Sequence, residues 1–332
     1  MAVRDGLHIL EGPSPVIMRI IRHYKDVPDA ARGAVVAIGN FDGVHRGHQA
    51  VIGQARALAA DMGVPVAVLV FEPHPRQYFA PDAPFFRLSS FRAKVGLLAE
   101  NGVDITYALP FDKHMASLTA PEFVSDVLVK GLGAVHVVVG YDFCFGKGRA
   151  GDITALRYMG DMEGFGVTVV SAQGEGDGEV FSSTRVREAL SEGRVEDAAR
   201  LLGRPWFIEG RVLDGDKRGR TIGFPTANVQ LDGVVPPKFG VYAVEVEIED
   251  GPHKGTYKGV ANLGKRPTFN KEDVLLEVNL FDFAGDIYGA HLRVSLMGFI
   301  RAEQKFDGLD ALKAQIAADA DTARSILANP AA

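Results

Sequence analysis

Residues 34–48 read AVVAIGNFDGVHRGH, and this stretch decides the fold of the first half of the chain. Its apolar start predicts a buried strand, and the glycine-rich segment that follows predicts a turn into a helix. His45 and His48 would share one face of that helix, because residues three apart are neighbours there. A helix N-terminus attracts phosphate, and imidazoles beside it can stabilise charge on a transferring phosphoryl group. The stretch therefore predicts a nucleotide-phosphate site, with a plain strand–turn–helix corner bearing two surface histidines as the alternative.

The rest of the first half continues the alternation of strand and helix. Apolar, β-rich runs occur at 34–39, 64–71, 103–109, 134–140 and 166–171, and helical stretches lie between them near 46–61, 89–100, 120–131 and 151–163. Continuous Val/Ile runs indicate strands that are buried on both faces. Strands that alternate with helices predict a parallel sheet with right-handed crossovers, and such sheets bind ligands at the carboxyl ends of their strands.

The second half has a different pattern, in which apolar and polar residues alternate along each run. This pattern predicts antiparallel strands with two unlike faces, at 207–212, 241–248, 257–262, 275–280 and 292–296. With a helix from about 308 to 327, it predicts a small antiparallel barrel with a terminal helix. A helical connector at about 184–203 joins the halves, with Gly193 between two short helices and Pro205 at its end. We place the domain boundary between residues 187 and 188.

Composition narrows the class of protein. The 332 residues suggest two domains, and 47% hydrophobic with 23% charged residues is typical of a globular protein. A net charge of −6 argues against a nucleic-acid partner. The single Cys144 excludes an internal disulfide, which fits a reducing compartment. No signal peptide and no apolar run near the ~20 residues of a membrane span are found, so we expect a cytoplasmic protein without a membrane partner.

Three more segments of the first half carry polar groups that suit a nucleotide site. The segment 71–75, FEPHP, follows the second predicted strand, and 140–149, GYDFCFGKGR, follows the fourth; the latter lacks the glycine spacing of a Walker A loop. The segment 182–187, SSTRVR, begins a helix for which Ser183 and Thr184 are natural N-caps. Its two arginines oppose the helix dipole, which indicates a compensating anion such as a triphosphate.

In this order, the motifs at 39–48, 71–75, 140–146 and 182–187 resemble the adenylyltransferase half of the bacterial bifunctional FAD synthetases, which join a riboflavin kinase to an FMN adenylyltransferase. The resemblance implies a Rossmann-like nucleotidyltransferase domain at 1–187 that transfers AMP from ATP to FMN. It implies that His45 and His48 act on the α-phosphate. It further implies ATP-binding residues Gly39, Asn40, Phe41, Asp42, Gly47, Ser183, Thr184, Arg185 and Arg187, and flavin-binding residues Pro73, His74, Asp142 and Phe143.

A His-x-Gly-His element also occurs in class I aminoacyl-tRNA synthetases. The chain has no segment like Lys-Met-Ser-Lys-Ser and no anticodon-binding region, which argues against a synthetase.

The segment 215–228, GDKRGRTIGFPTAN, dominates the second half. Its basic, glycine-rich part alone is also compatible with a solvated hairpin turn, but Thr226 and Asn228 add hard oxygen donors that suit Mg²⁺. The segment resembles the riboflavin kinase signature, which implies a kinase domain at 188–332 with Mg²⁺ at Thr226 and Asn228 and a catalytic base, Glu277, for the riboflavin hydroxyl. The resemblance also implies ATP-binding residues Gly215, Lys217, Gly219, Arg220, Gly223, Thr226 and Asn228, and a flavin-facing flap beginning at Phe299, Arg301 and Glu303.

One position departs from the family. Asn279 stands where the family usually has a histidine, and an amide cannot titrate. The leading hypothesis is therefore a two-step enzyme that makes FMN from riboflavin and then FAD from FMN. The alternatives are an adenylyltransferase with an impaired kinase, and a flavin- or nucleotide-binding regulator without turnover. The intact His45/His48 pair and Glu277 argue against the regulator, because binding alone requires neither.

Overall fold

A computed structural model of the chain describes residues 18–82, 87–174, 179–213, 224, 226–231, 236–268 and 271–329, without the side chains of 266–268 and 271–273. The chain divides into two compact units. The first is drawn from residues 1–40, 51–78 and 98–170, and the second from residues 41–50, 79–97 and 171–332. The boundary between residues 187 and 188 stays a prediction.

The first unit contains a six-stranded sheet in which all neighbouring strands are parallel, as predicted. Its strands, in chain order, are β1 (Arg19–Ile21), β2 (Val35–Ile38), β3 (Val66–Glu72), β4 (Ile105–Pro110), β5 (His136–Gly140) and β6 (Gly166–Val170). The order across the sheet is β1-β4-β3-β2-β5-β6. All four residues of β2 are buried, which confirms the interpretation of the apolar run before the glycine-rich segment. Strand β1 was not predicted, because three residues are too short for a periodic pattern and none of the three is fully buried.

Helices follow most strands of this half. They are α1 (Arg46–Met62), α2 (Pro75–Phe79), α3 (Phe91–Glu100), α4 (Lys113–Ser117), α5 (Ala120–Glu122), which continues as a π-helical stretch (Phe123–Gly131), and α6 (Ile153–Glu163). Short side chains begin several of them, for example the capping box of Thr119 and Glu122 and the Asp152 cap of α6. The four predicted helical stretches are confirmed.

The second unit contains the connector and the barrel. Its elements are α7 (Ser183–Glu192), α8 (Val195–Leu202), β7 (Phe207–Leu213), β8 (Ala227–Gln230), β9 (Gly240–Ile248), β10 (Gly255–Thr268), β11 (Lys271–Leu280), β12 (His291–Ala302) and α9 (Leu309–Ala328). The strands form a closed antiparallel barrel in the order β10-β11-β8-β7-β12-β9, so the prediction of a barrel with a terminal helix is confirmed.

Two details of the connector were wrong in the sequence analysis. The N-cap of α7 is Ser182, whose hydroxyl accepts the Arg185 N–H at 3.3 Å, and not Ser183 or Thr184. Helix α8 ends at Leu202 because Gly203 takes up a left-handed conformation (φ 74°), so the chain leaves the helix before Pro205. Gly193 does separate the two helices, as predicted, with φ 81°.

Candidate active sites

The turn between β2 and α1 has an unusual backbone. Phe41 and Val44 have φ values of 48° and 43°, in the left-handed region that non-glycine residues seldom enter, and both side chains are buried. Gly43 lies between them with φ 77°, and a Cβ there would sit 2.9 Å from Leu88 Cδ1. The surroundings must hold such a turn in place, because its conformation is costly on its own.

Asp42 is the anchor of this turn. Its side chain is buried, and the carboxylate accepts the Leu88 N–H at 3.0 Å and the Ser89 N–H at 3.2 Å. The Arg187 guanidinium forms an ion pair with it, and Ser183 Oγ donates to the Asp42 carbonyl oxygen at 3.1 Å. Three segments that are distant in sequence therefore meet at one carboxylate, whose burial without such partners would be strongly unfavourable.

His45 and His48 form a stacked pair at the start of α1, as their spacing predicts. Their ring centroids are 3.7 Å apart, and the His48 backbone N–H donates to His45 Nδ1 at 3.3 Å. Neutral His45 therefore carries its hydrogen on Nε2. The Phe41 ring lies 5.1 Å from that of His48, and Gly47 leaves room for the pair, since a Cβ there would come within 3.1 Å of the His45 ring.

Both imidazoles are neutral at pH 7. Burial and, to a lesser extent, the nearby charge of Arg187 together lower the pKa of His45 to about 4. The pKa of His48 is also held well below its ordinary value, first by burial and then by His45 and Lys94. His48 Nδ1 is inaccessible to solvent and has no hydrogen-bond partner among the described residues. The pair can thus offer N–H groups to an anion without carrying a positive charge of its own.

The arginines at the start of α7 already have anionic partners within the protein. Arg185 pairs with Glu179 and donates to the Val180 carbonyl at 3.3 Å, while Arg187 pairs with Asp42. Thr184 is exposed. The unfavourable placement of two cations at a helix start is therefore offset locally by carboxylates. Their predicted role toward a triphosphate stays a prediction.

The remaining predicted residues of the first half belong to the first unit and lie at the carboxyl edge of its sheet. Gly39 extends β2 by donating to Leu69 O at 3.3 Å, and His74 Nδ1 accepts the Arg76 N–H at 3.1 Å. Phe143 stacks on Phe145 at 5.6 Å. Three other predicted residues are exposed, namely Asn40, Pro73 and Asp142. The sheet thus brings the ends of β2, β3 and β5 to one edge, as parallel pairing requires.

In the barrel, Glu277 lies between two asparagines. It is in register with Asn228 of β8 on one side and with Asn262 of β10 on the other. Its neighbours along β11, Leu276 and Val278, are buried in the barrel core, so Glu277 projects from the opposite face of the strand. The predicted base and one predicted metal ligand are therefore direct cross-strand neighbours.

Asn228 presents an acceptor oxygen that no described residue uses. Its side chain is buried, yet Oδ1 has no hydrogen-bond partner in the described part of the chain. Thr226, two residues earlier, is half-buried. A buried amide oxygen without a partner is costly, and a hard cation or a donor on a ligand would satisfy it. No cluster of three or more His, Cys, Asp or Glu side chains that could hold a metal occurs among the described residues.

Five residues predicted to bind ATP in the kinase domain lie outside the described residues, namely Gly215, Lys217, Gly219, Arg220 and Gly223.

The three predicted flap residues have different neighbours. Phe299 packs edge-on against Tyr242 at 5.2 Å. Arg301 holds the Asp319 carboxylate of α9 with Nε at 2.9 Å and Nη2 at 2.7 Å, and Glu303 is exposed. Phe299 and Arg301 thus have structural contacts within the barrel and with α9, and the predicted flavin contacts of all three residues stay predictions.

Sequence reasoning missed the partners that position these sites. Leu88 and Ser89 belong to no motif, because they contribute backbone N–H groups that every residue type carries. The position of Asn262 beside Glu277 was likewise not predicted, since only pairing of β10 with β11 brings these two residues into register.

Each half of the chain matches a known protein family. Residues 27–185 match the family model described as FAD synthetase, and residues 202–327 match the model described as riboflavin kinase. A bifunctional riboflavin kinase/FMN adenylyltransferase from Escherichia coli (strain K12) is 47% identical over 308 residues, which cover 92% of this chain and 97% of the relative. A protein of the same description from Pseudomonas fluorescens is 46% identical, with coverage of 94% and 98%.

A solved structure is similar over the same span. The crystal structure described as a macrolide-efflux protein from Streptococcus pneumoniae has a TM-score of 0.82 and 36% identity, covering 94% of this chain and 99% of that one. Within the described residues, none of the helices has the length and apolar character needed to cross a membrane. Because close relatives align along nearly their whole length, the chain belongs to the family of bifunctional riboflavin kinase/FMN adenylyltransferases.

Proposed function

We propose that this chain makes FAD in two ATP-dependent steps. The barrel phosphorylates riboflavin to FMN, and the His45/His48 region then transfers AMP from ATP to FMN with release of pyrophosphate. The observation that carries the proposal is that one chain contains both the anchored histidine pair and the Asn228–Glu277–Asn262 row. A cytoplasmic location is part of the proposal, since both steps consume ATP and the only cysteine cannot form an internal disulfide.

Adenylyl transfer requires positioning and charge stabilisation rather than a protein nucleophile. A phosphate oxygen of FMN attacks the α-phosphorus of ATP, and the bond from that phosphorus to the bridging oxygen of pyrophosphate breaks. The N–H groups of neutral His45 and His48 stabilise the negative charge on the α-phosphate oxygens. Arg185 and Arg187 offset the charge of the leaving pyrophosphate.

The two substrates would use the groups named in the sequence analysis. ATP would be held by Gly39, Asn40, Phe41, Asp42, Gly47, Ser183 and Thr184, with Asp42 acting by shaping the turn. FMN would be held by Pro73, His74, Asp142 and Phe143.

In the kinase step, Glu277 accepts the proton of the riboflavin 5′-hydroxyl as the hydroxyl oxygen attacks the γ-phosphorus of ATP. The bond from that phosphorus to the bridging oxygen breaks, and ADP leaves. We propose that Thr226 and Asn228 hold Mg²⁺, because the Oδ1 atom of Asn228 is buried and has no hydrogen-bond partner among the described residues. When bound, Mg²⁺ neutralises and orients the phosphates. Asn262 lies on the other side of Glu277 and is placed to donate a hydrogen bond that orients its carboxylate.

Asn279 does not by itself favour an impaired kinase. It lies two residues beyond Glu277 on β11, opposite Val260, and proton removal in the proposed mechanism needs only the carboxylate. Relatives that are 47% and 46% identical to this chain are described as bifunctional riboflavin kinase/FMN adenylyltransferases.

The decisive experiment is an incubation of the protein with riboflavin, ATP and MgCl₂, with the flavins resolved by chromatography. We expect FMN first and FAD later. FAD formation only when FMN is supplied would contradict the kinase step, and absence of both products from both substrates would contradict the whole proposal.

Replacing His48 with alanine should lower the rate of FAD formation from FMN by roughly 100-fold or more. One hydrogen-bond donor aimed at the charge that develops in the transition state contributes about that much to the rate. FMN formation from riboflavin should be unchanged. The matched control is His23→Ala, which removes an exposed histidine and should keep both activities. Equal loss of both activities in His48→Ala would contradict separate sites.

Glu277→Gln should lower FMN formation by roughly 100-fold or more while FAD formation from FMN persists, because the amide cannot accept the hydroxyl proton. Glu245→Gln is the matched control, since Glu245 is exposed on β9 of the same barrel. An unchanged rate of riboflavin phosphorylation in Glu277→Gln would rule out its role as the base.

Stability should fall as the pH is lowered from about 6.5 to about 4. His45 has a folded pKa of about 4 against 6.5 when unfolded, so the unfolded chain binds more protons in this window. This residue alone should remove about 3 kcal/mol of the free energy of unfolding. Urea unfolding monitored by Trp206, the single tryptophan and part of the same unit, should show a shallower pH dependence for His45→Gln. Equal slopes would show that burial does not depress this pKa.

A further inference from the structure

The turn before the histidine pair is restrained by side chains that neither the motifs nor the proposed mechanism use. Gln49 Nε2 donates to the Val44 carbonyl at 2.9 Å and to the Leu202 carbonyl at 2.8 Å. One amide thus ties the turn to the last residue of α8. We refer to residues 41–48 as the histidine loop.

A second restraint comes from the segment that leads into the barrel. Arg204 Nη2 donates to the Gly43 carbonyl at 2.8 Å. Its guanidinium also lies over the ring of Phe207, the first residue of β7, 5.4 Å from the ring centroid. A charged donor makes this hydrogen bond stronger than one between neutral groups.

A third restraint acts through the segment that binds Asp42. Trp206 Nε1 donates to the Leu88 carbonyl at 2.7 Å, and the indole is buried. The Leu88 N–H in turn donates to the Asp42 carboxylate at 3.0 Å. Trp206 therefore restrains the peptide group that joins Leu88 to Ser89, and the N–H of that group donates to the Asp42 carboxylate at 3.2 Å.

These contacts hold the atoms that determine where His45 lies. The Gly43 and Val44 carbonyls belong to the two peptide groups immediately before His45, and both residues have positive φ values of 77° and 43°. A backbone in that region keeps its shape only when its surroundings hold it. A displacement of about 1 Å at a reacting group can reduce a rate by roughly 100-fold.

We propose that Gln49, Arg204 and Trp206 are positioning residues for adenylyl transfer, and that this reaction depends on residues 202–206. The inference rests on the proposed function. It also extends the site beyond the FAD synthetase family match, which ends at residue 185, into the riboflavin kinase match, which begins at residue 202. An adenylyltransferase unit cut at residue 187 would lack the Leu202, Arg204 and Trp206 ends of these restraints.

Arg204→Met in the full chain tests the inference, with Arg200→Met as the matched control. Arg200 lies on the neighbouring α8, but its guanidinium pairs with Asp197. For Arg204→Met we expect the kcat of FAD formation from FMN to fall roughly 10- to 100-fold, while the KM for ATP changes less than about threefold. FMN formation should match the control. Arg204→Lys, which keeps a donor for the Gly43 carbonyl, should recover part of the loss.

Coupling between residues gives a second readout. If Gln49 and Arg204 hold one turn as a unit, Gln49→Leu combined with Arg204→Met should lose scarcely more activity than the stronger single variant. Losses that multiply would mean that the two side chains act independently, which would overturn a shared restraint of the loop.

Hydrogen exchange supplies a readout that needs no turnover. Amides 43–48 should exchange faster in Arg204→Met than in Arg200→Met, with the barrel strands unchanged. FAD formation within twofold of the control, a parallel loss of both activities, or unchanged exchange of the loop would each overturn the inference. If the wild-type protein forms no FAD from FMN, the proposed function fails instead, and hydrogen exchange alone decides whether these residues hold the loop.

Discussion

The buried carboxylate of Asp42 is the constraint on which the histidine loop depends. An ionised group that is 3% exposed is tolerated only when its acceptor positions are filled and its charge is balanced. Two backbone N–H groups at Leu88 and Ser89 and the guanidinium of Arg187 meet these needs. Because these partners lie 46, 47 and 145 residues away in sequence, satisfying one charge brings three chain segments together.

Histidines placed in this way are uncharged at pH 7, which suits the donor role proposed for them. Burial depresses both pKa values, so His45 and His48 are well suited to donate hydrogen bonds to a phosphate and poorly suited to carry protons between groups. When the FMN phosphate displaces pyrophosphate from ATP, no proton has to be transferred. Two fixed N–H groups shielded from water therefore suit this reaction better than a histidine that gains and loses a proton. The strained turn before them requires restraints from outside the motif, which explains the contacts from Gln49 and Arg204.

The barrel places its groups by a different rule. Alternation along β11 sends Leu276 and Val278 into the core and Glu277 to the opposite face, and strand register then puts Asn228 and Asn262 beside it. Backbone hydrogen bonding between the strands thus places the Glu277 carboxylate beside the buried Asn228 Oδ1, which has no hydrogen-bond partner in the described part of the chain. The same strand geometry that closes the barrel therefore brings together the groups proposed for the kinase step.

The sequence by itself determined the local features: the parallel sheet, the antiparallel barrel, the connector helices, and the shared face of His45 and His48. Hydrophobic periodicity and helix spacing are short-range properties, so they can be seen in the residues. It did not identify the three-residue edge strand, the Ser182 cap, the backbone donors to Asp42 or the restraint from Arg204. Those depend on which distant segments meet: the Arg204–Gly43 hydrogen bond spans 161 residues, and its acceptor is a carbonyl that every residue has. Only the tertiary structure decides which donor reaches that carbonyl.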